Sequence, residues 1–421
     1  MREIVKWFTI HYASGIIIIM TEQKKQRVLI VGGGFGGIKA ALELAKERQV
    51  AVTLLSDRDH FRYYPSLYHT ATGGLRAQSS IALNKILPDN NVEIVLGKAE
   101  KLDRDKQAIT LKDGKKLHYD ILILALGMVT NYFGIKGLDK YSYGIKSMEE
   151  VQRFKQHLHS QLEDEHQPDL HYVIVGAGPT GIELAGALPE YLHKLMRNHG
   201  IKHKAVHVDL IEAMPRLLPR SPKMTSHAVR KQLRKLGVKL YLNQAVQGET
   251  ADALMINGKP FPSHTVVWTA GMANNPFFTV NNFKLNERHK VVVDEYLQAE
   301  PHIYVIGDNA GTQFSGLAQT ALHDARFVAD NLRLQFAGKQ PKRYKTRQPV
   351  SIIPAGPQWA AVDWGKLHFY GRIGWWLREA ADWVGFHDLE PWWKASEQWL
   401  TELGSEEDEC ATCATAEQQT A

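Results

Sequence analysis

Cysteine is nearly absent from this chain of 421 residues, which contains only Cys410 and Cys413. Both lie in the stretch SEEDECATCATAEQQTA, where two thiols do not complete a tetrahedral zinc site and no histidine follows them. The sequence therefore predicts no metal centre. We interpret residues 405–421 as a disordered acidic tail, with metal binding or dithiol cycling as the alternative role of the two cysteines.

Long apolar runs and nucleic-acid recognition motifs are also lacking. A membrane-spanning helix needs about 20 apolar residues, whereas the apolar run in MREIVKWFTIHYASGIIIIM is interrupted and has no cleavage site after it. We expect residues 1–19 to be an upstream extension and residues 1–23 to lie outside the fold, since MTEQKKQRVLIVGGG resembles a complete start. A net charge of +6 fits an anionic cofactor or membrane surface better than a nucleic acid.

The chain does contain two glycine-rich fingerprints, Gly32-x-Gly34-x-x-Gly37 and Gly176-x-Gly178-x-x-Gly181. Each follows an apolar, β-rich run and precedes a segment of helical character, the context in which a pyrophosphate binds at a helix amino terminus. The first glycine permits a tight turn, the second lets the backbone approach the phosphates, and the third lets the helix pack on the strand. One chain rarely needs two nucleotides unless electrons pass between them, so the pair predicts a flavoprotein reductase.

Strands alternate with helical segments after each fingerprint, which predicts an α/β fold with parallel sheets. We predict two Rossmann-like dinucleotide-binding domains, the second inserted in the first, plus a C-terminal Trp-rich helical segment. The predicted bounds are 24–145 and 276–335 for the first domain, 146–275 for the second and 336–404 for the C-terminal segment. Asp113 and Gly114 mark a hairpin turn between QAITL and KLHYD.

Several longer stretches carry a family resemblance. In chain order they are VLIVGGGFGG, YYPSLYHTATGG, ILALGMVTNYFGIKG, GAGPTGIELAGAL, LIEAMPRLLP, VVWTAG, VIGDNA and AQTALHDA. Over residues 26–331 the chain resembles the pyridine-nucleotide flavoprotein reductases and, within them, the type II NADH dehydrogenases. The resemblance implies an enzyme, peripheral at the cytoplasmic face of a membrane or cytoplasmic, that passes hydride from NADH to FAD and two electrons onward to a quinone without pumping protons.

The resemblance also implies which residues hold FAD in the first domain. The glycines of the first fingerprint would hold the pyrophosphate, and Asp308 would bind the ribityl chain, with a helix N-cap as its alternative role. The acidic residue expected to take a ribose hydroxyl is replaced by Ser56, and Asp57 follows it, so either residue is a candidate. The remaining FAD candidates are Gly32, Gly34, Gly36, Gly37, Ala99, Gly127, Gly307 and Ala318.

NADH is expected in the second domain. Glu212 ends the apolar run AVHVDLIE, where a carboxylate accepts hydrogen bonds from a ribose 2′-hydroxyl and repels a 2′-phosphate, so NADH is favoured over NADPH. By resemblance Glu183 lies close to the nicotinamide and flavin; its alternative role is to complement the helix dipole. The remaining NADH candidates are Gly176, Gly178, Gly181 and Gly271.

The electron exit is the least defined part. Disulfide reductases and sulfide:quinone reductases of this superfamily need cysteines near the flavin, and this chain has none there. The stretch AQTA resembles a quinone-site motif, in which Gln319 donates to a quinone carbonyl; His323 replaces the motif's second glutamine and could donate or pass a proton. Two alternatives remain: reduction of a soluble carrier such as a ferredoxin or rubredoxin, docked at the basic segment 339–347, and a redox-silent NADH-responsive scaffold.

Eight of the ten tryptophans fall between Trp359 and Trp399. In GRIGWWLREAADWVGF the apolar residues Ile373, Trp376, Leu377, Ala380 and Val384 share one face of a predicted helix. Indole rings favour the lipid headgroup region and flanking cations favour anionic lipid, so this face predicts an interfacial helix. Contact with the protein's own core or with a homodimer partner is the alternative.

Overall fold

The computed structural model describes residues 25–87, 91–164, 166, 169–202, 204–263 and 265–387. The predicted extension of residues 1–23 and the tail with Cys410 and Cys413 lie outside the described residues. So do four of the ten tryptophans, Trp7, Trp392, Trp393 and Trp399.

The strands, in chain order, are β1 (Gln26–Val31), β2 (Val50–Ser56), β3 (His60–Arg62), β4 (Ser80–Ala82), β5 (Val92–Leu96), β6 (Ala99–Asp103), β7 (Ala108–Leu111), β8 (Lys116–His118), β9 (Ile121–Leu124), β10 (Met128–Thr130), β11 (Asp169–Val175), β12 (Ala205–Glu212), β13 (Lys239–Leu242), β14 (Val246–Glu249), β15 (Ala253–Ile256), β16 (Lys259–Pro262), β17 (Val266–Trp268), β18 (Met272–Asn274), β19 (Gln298–Glu300), β20 (Ile303–Val305), β21 (Ser351–Pro354), β22 (Ala360–Trp364) and β23 (Leu367–Gly371).

The helices are α1 (Phe35–Leu44), α2 (Leu67–Ala71), α3 (Arg76–Ser79), α4 (Leu83–Ile86), α5 (Leu138–Tyr141), α6 (Met148–Glu163), α7 (Pro179–Asn198), α8 (Lys223–Lys235), α9 (Pro276–Val280), α10 (Ala318–Phe336) and α11 (Arg372–His387). Short 3₁₀ turns cover Tyr64–Ser66 and Gly307–Asn309.

The first nucleotide-binding unit is built on a six-stranded sheet of order β19-β20-β9-β1-β2-β5. The five strands from β20 to β5 in this order are parallel, and only the edge strand β19 runs antiparallel to its neighbour β20. Strand β1 reads as a continuous apolar run because both faces of this sheet are covered, as is usual for parallel sheets. Helices α1 and α10 pack together on one face, and the other face carries Phe277, Phe278 and the small β6-β7-β8 sheet.

The second unit has its own parallel sheet of order β13-β12-β11-β17. The chain leaves the six-stranded sheet after β9, builds this second sheet, and returns in β19 and β20. Strands β10 and β18 pair antiparallel where the chain crosses between the units in each direction. The α/β class with Rossmann-like parallel sheets is therefore confirmed, and the exact domain bounds stay predictions.

Local sequence explains how the second unit begins. Ser147 is the N-cap of α6 and accepts a hydrogen bond of 3.1 Å from the N–H of Glu150. The Glu150 carboxylate in turn accepts from the N–H of Lys146 at 2.6 Å, so helix start and preceding chain are fixed together. In the first unit, the predicted hairpin at Asp113 and Gly114 is confirmed, since β7 and β8 pair antiparallel and Gly114 has φ +87°.

The C-terminal part differs from the purely helical segment that the tryptophan pattern predicted. Strands β21, β22 and β23 form an antiparallel sheet, and α11 packs against β22 and β23. The strands are short apolar runs separated by turns, a pattern that the tryptophans obscured. Within the described ranges, no helix is both long and apolar enough to cross a membrane.

Candidate functional site

The first glycine loop has the geometry that its motif predicts. Gly32 adopts φ +119°, and a Cβ there would overlap the carbonyl oxygen of Ala125. A Cβ at Gly37 would overlap the carbonyl oxygen of Gly32, so this glycine lets α1 sit against the loop. Gly34 is the N-cap of α1, and its Cβ position has no described heavy atom within 4 Å. The loop thus leaves an open approach to a helix amino terminus, where an anion binds.

The second glycine loop repeats this geometry in the second unit. Gly176 has φ +108°, and a Cβ there would lie 2.7 Å from the Ala270 nitrogen. A Cβ at Gly181 would overlap the carbonyl oxygen of Gly176. A Cβ at Gly178, like one at Gly34, would have no described heavy atom within 4 Å. Pro179 then occupies the first turn of α7, where its missing N–H costs nothing. One chain therefore presents two glycine loops of equivalent geometry, each open toward a helix amino terminus.

Strand register places Ser56 and Glu212 at equivalent positions in the two units. Val31 pairs with Leu55 and Val175 pairs with Ile211, and the next residue after each partner is Ser56 or Glu212. The Glu212 carboxylate accepts hydrogen bonds from the N–H of Ala177 at 2.7 Å and of Met214 at 2.8 Å.

Ser56 is buried and its hydroxyl donates to the carbonyl of Arg58 at 2.7 Å. Asp57 is half-exposed and pairs with the Arg58 guanidinium at 2.9 Å. Of the two alternatives for the ribose position in the first unit, the register therefore favours Ser56.

Asp308 lies in the 3₁₀ turn after β20, at the carboxyl edge of the first sheet. Burial raises the pKa of its carboxyl, and the charge of Lys290 opposes this shift. The ammonium of Lys290 donates to the carbonyl oxygen of Asp308 and to the Met128 sulfur. The alternative that Asp308 caps the long helix is wrong, because α10 begins only at Ala318 and its N-cap is Leu317.

Asn309 is a site residue that the sequence reasoning missed, although it directly follows the Gly307–Asp308 pair. Its buried side chain accepts from the N–H of Gly127 and donates to the carbonyl of Gly127, both at 2.8 Å. It also donates to the Asn274 side chain at 2.7 Å. Gly127 adopts φ +68°. This side chain ties the end of β9 to the strand that returns from the second unit.

Three further candidates belong to other parts of the first unit. Gly36 lies where α1 meets β20 and α10, since a Cβ there would be 3.2 Å from Ile306 Cδ1. Ala318 is the first residue of α10. Ala99 begins β6, close to the N–H of Gly97, which donates to the Ser56 carbonyl. These positions lie around the carboxyl edge of the first sheet, as expected for one ligand.

Glu183 is the fifth residue of α7 and lies beyond the first turn, so the helix-dipole role is weakened. It keeps some exposed surface, but its carboxyl is surrounded by protein, and this loss of hydration raises its pKa to about 8. The charge of Arg378 lowers this pKa and that of Asp382 raises it. Two charged side chains of the C-terminal helix α11 therefore act on this carboxyl in opposite directions.

Gly271 lies between the two units, just after β17. It adopts φ +76°, and a Cβ there would lie 2.5 Å from the carbonyl oxygen of Asn131. Its own carbonyl accepts a hydrogen bond of 3.2 Å from the ammonium of Lys146, another residue that the sequence did not indicate. Burial lowers the pKa of Lys146 to about 8, with the charge of Glu150 opposing.

Gln319 and His323 share a face of α10, but both side chains contact the backbone of the segment that follows the helix. The Gln319 amide donates to the carbonyl of Val350 at 3.2 Å and accepts from its N–H at 3.0 Å. The His323 Nε2 lies 3.0 Å from the carbonyl oxygen of Lys345. A role for either residue at an electron acceptor stays a prediction.

Helix α11 turns its apolar face outward. Trp376 is 73% exposed and Ile373 is 63% exposed, whereas Glu379 and Asp382 are buried. Arg372 and Trp376, with Gln358 and Trp375, line an open groove of about 330 Å³. This orientation is the reverse of a helix that packs its apolar face on its own sheet.

Comparisons with known proteins agree with this geometry. A model of the pyridine nucleotide-disulphide oxidoreductase family matches residues 26–325. A Mycobacterium tuberculosis protein named type II NADH:quinone oxidoreductase Ndh is 28% identical, covering 84% of this chain and 83% of the relative.

Two solved structures share the fold. NDH2 from Plasmodium falciparum in complex with NADH has a TM-score of 0.78 at 19% identity, covering 90% of this chain and 97% of that chain. The sulfide:quinone oxidoreductase of Aquifex aeolicus has a TM-score of 0.73 at 22% identity, covering 89% and 92%.

Proposed function

Because the chain belongs to the pyridine nucleotide-disulphide oxidoreductase family, we propose that it is an FAD-dependent NADH:quinone oxidoreductase of the type II, non-proton-pumping kind. The observation that carries the proposal is the pair of equivalent glycine loops on two parallel sheets of one chain. Relatives named type II NADH:quinone oxidoreductase, which match most of the chain, give the reaction.

FAD fits the first unit. The open approach at Gly34 suits a pyrophosphate. The carboxyl of Asp308 is buried from water and needs a hydrogen-bond partner, which a sugar hydroxyl of the ligand would provide. Ser56 is assigned to the adenosine side because its position at the end of β2 is equivalent to that of Glu212 at the end of β12. FAD held by these residues would supply hydride acceptance and electron transfer, chemistry that no side chain provides. The protein's part is to position it and exclude water.

NADH fits the second unit, and we assign to Glu212 the discrimination between NADH and NADPH. Each of its carboxylate oxygens already accepts one backbone N–H, which fixes the carboxylate and leaves further acceptor capacity for ribose hydroxyls. A 2′-phosphate would place a second negative charge against it. Gly271 and Lys146 lie beside the loop, at the boundary toward the first unit.

The acceptor we propose is a quinone. Cys410 and Cys413 lie beyond the family match, so residues 26–325 contain no cysteine that could form a redox disulfide. A small acceptor that takes two electrons and protons fits an enzyme without such a pair. The segment around Gln319 and His323 is assigned to this end on the resemblance of AQTA alone.

We further propose that the enzyme is peripheral on the cytoplasmic face of a membrane, held through α11. The support is the outward apolar face with Trp376 and Ile373, the neighbouring Arg372, and the basic segment 339–347. Interfacial helices bind anionic lipid through this combination of indole rings and cations. The alternative is that the same face contacts a second copy of the chain. Binding of the protein to vesicles through this face would exclude that alternative.

The experiment that tests the function compares acceptors. Flavin extracted from the purified protein should be FAD, and NADH oxidation should be rapid with a short-chain quinone and slow with a ferredoxin or rubredoxin. Preference for the protein carriers would replace the quinone assignment. A bound flavin that NADH does not bleach would leave only the redox-silent scaffold.

A further inference from the structure

Arg62 connects the first unit to the start of the second. It is the last residue of β3 and is nearly buried, at 8% exposure. Its guanidinium donates a hydrogen bond of 2.5 Å to the backbone carbonyl of Lys146, 84 residues further along the chain. A charged donor at this distance makes a strong bond. Lys146 already belongs to the second unit, because Tyr143, shortly before it, bridges Val267 of the second parallel sheet.

The side chain of Lys146 extends this connection. Its ammonium donates to the backbone carbonyl of Gly271 at 3.2 Å, and the same carbonyl accepts the N–H of Asn131 at 3.3 Å. Asn131 directly follows β10 and Gly271 directly precedes β18, the two strands on which the chain crosses between the units. Through its backbone and its side chain, Lys146 therefore joins β3 of the first unit to both crossing strands.

A second joint between the units starts a few residues after Arg62. Leu67, Tyr68 and Ala71 of α2 are buried in the hydrophobic core of the second unit, where α2 packs against α6 and α7. The part of the first unit that carries Arg62 is therefore held on the second unit by apolar packing. The crossing strands form a separate joint, and Lys146 ties that joint to the packed one. Two joints that are tied together leave the units less freedom to rotate.

We call Arg62, Lys146 and Gly271 the inter-unit clamp. Its surroundings fix its backbone. The N–H of Lys146 donates to the Glu150 carboxylate at 2.6 Å, which attaches the clamp to the first turn of α6. A Cβ at Gly271 would lie 2.5 Å from the carbonyl oxygen of Asn131, so the two crossing connections approach each other closely at this point.

The relative position of the units matters for the proposed reaction. The first loop is assigned to FAD and the second to NADH, so hydride passes from a coenzyme held by one unit to a coenzyme held by the other. Reacting atoms must come within about 3 to 3.5 Å, and a misplacement of about 1 Å costs on the order of 100-fold in rate. A contact that fixes the units against each other therefore controls the hydride step through geometry.

We propose that Arg62 and Lys146 are positioning residues that hold the two nucleotide-binding units at the separation that hydride transfer requires. The effect on rate rests on the proposed reaction of NADH with FAD. The effect on structure rests on the contacts of the inter-unit clamp alone. The glycine loops bind the coenzymes, and the inter-unit clamp sets where the two coenzymes meet.

The first test measures flavin bleaching by NADH in the FAD-loaded, full-length protein. Lys146→Met removes the ammonium, and the bleaching rate at saturating NADH should fall about tenfold. The NADH concentration that gives half this rate should change by less than about twofold, because the second loop and Glu212 are intact. Lys146→Arg keeps a charged donor and should restore most of the rate. Lys140→Met removes the same charge from an exposed side chain between β10 and α6 and should match the wild type.

A static measurement separates positioning from a general loss of activity. A nicotinamide ring stacked on a reduced flavin absorbs at long wavelength, so titration of the photoreduced protein with NAD⁺ reports how the two rings meet without turnover. This absorbance should fall in Lys146→Met and return in Lys146→Arg. Arg62→Met should lower it similarly, and the double variant should lose no more than either single variant, since both break one connection. If Arg62→Met does not fold, the two Lys146 variants decide.

Amide hydrogen exchange tests the inter-unit clamp independently of the reaction. The amides of β10 and β18 should exchange faster in Lys146→Met than in the wild type or in Lys140→Met, because the joint that they form has lost its tie.

Wild-type bleaching and wild-type long-wavelength absorbance in Lys146→Met would overturn the proposal. An NADH affinity that falls as far as the bleaching rate would also overturn it, because Lys146 would then act in binding. If NADH does not bleach the flavin of the wild type, the proposed function is removed instead. Faster exchange in Lys146→Met would then leave the inter-unit clamp standing, and unchanged exchange would remove it as well.

Discussion

The carboxylate of Glu212 accepts a 2.7 Å hydrogen bond from the backbone N–H of Ala177. Ala177 lies between the first two glycines of the second loop, so the residue assigned to the adenosine ribose is attached to the loop assigned to the pyrophosphate. One hydrogen bond at the end of β12 therefore joins the proposed ribose contact to the proposed pyrophosphate contact.

Replacing Glu212 by Ala should weaken NADH binding and relax the rejection of NADPH. The loss should be about 1 to 3 kcal/mol, the usual effect of removing a charged hydrogen bond, with an added cost because the N–H groups of Ala177 and Met214 lose their acceptor. The measurement is the ratio of kcat/KM for NADH and NADPH. Asp57→Asn, in the other unit, is the control and should leave the ratio unchanged. An unchanged ratio in Glu212→Ala removes this residue from the site.

Substitutions at two glycines of the first loop should affect FAD binding and protein stability separately. Gly34→Ala adds a Cβ into space that the described residues leave open, so stability should hold while FAD retention falls. Gly37→Ala places the Cβ against the Gly32 carbonyl and should destabilise the fold itself. Thermal unfolding of the flavin-free protein and flavin content per chain report the two effects. Equal loss of stability in both variants would contradict the assignment of Gly34 to a ligand.

These glycines show which part of the site was predictable. Their spacing encodes a steric requirement between residues a few positions apart, and the helix and strand around them follow from the same local sequence. The parallel sheets and the position of Glu212 at a strand end were predictable for the same reason.

Other contacts around the candidate site join residues far apart in the sequence, and no local sequence pattern predicts them. Tyr63 and Asp382 are 319 residues apart when they bond, and Asn309 joins Gly127 across 182 residues. The C-terminal sheet and the outward apolar face of α11 depend equally on tertiary packing. A helical periodicity gives the apolar face but does not say what that face contacts.

Gln319→Phe should block quinone reduction while FAD content and flavin bleaching by NADH stay nearly intact. The aromatic ring adds bulk at the proposed acceptor end and removes the two bonds to Val350. Gln319→Leu removes the same bonds without the ring, so it separates loss of the Val350 contact from steric blockage. Full quinone turnover in Gln319→Phe would withdraw this segment from the acceptor site and favour a soluble carrier.

Trp376→Ala combined with Ile373→Ser should weaken binding to anionic vesicles without loss of NADH-driven flavin bleaching, because both side chains are largely exposed. Binding of the unaltered protein should also weaken as salt rises and screens the basic segment 339–347. Co-sedimentation with phosphatidylserine vesicles is the measurement. Vesicle binding that the double variant retains, or a concentration-dependent dimer that it abolishes, would assign this face to a protein partner.

The two half-reactions, followed separately in the absence of oxygen, test the central claim most directly. Mixed with NADH, the flavin-loaded protein should bleach rapidly, and the reduced protein mixed with a short-chain quinone should regain its flavin absorbance at a rate matching steady-state turnover. Bleaching that quinone does not reverse but a ferredoxin does, or a flavin that NADH leaves oxidised, would contradict the assignment as an NADH:quinone oxidoreductase.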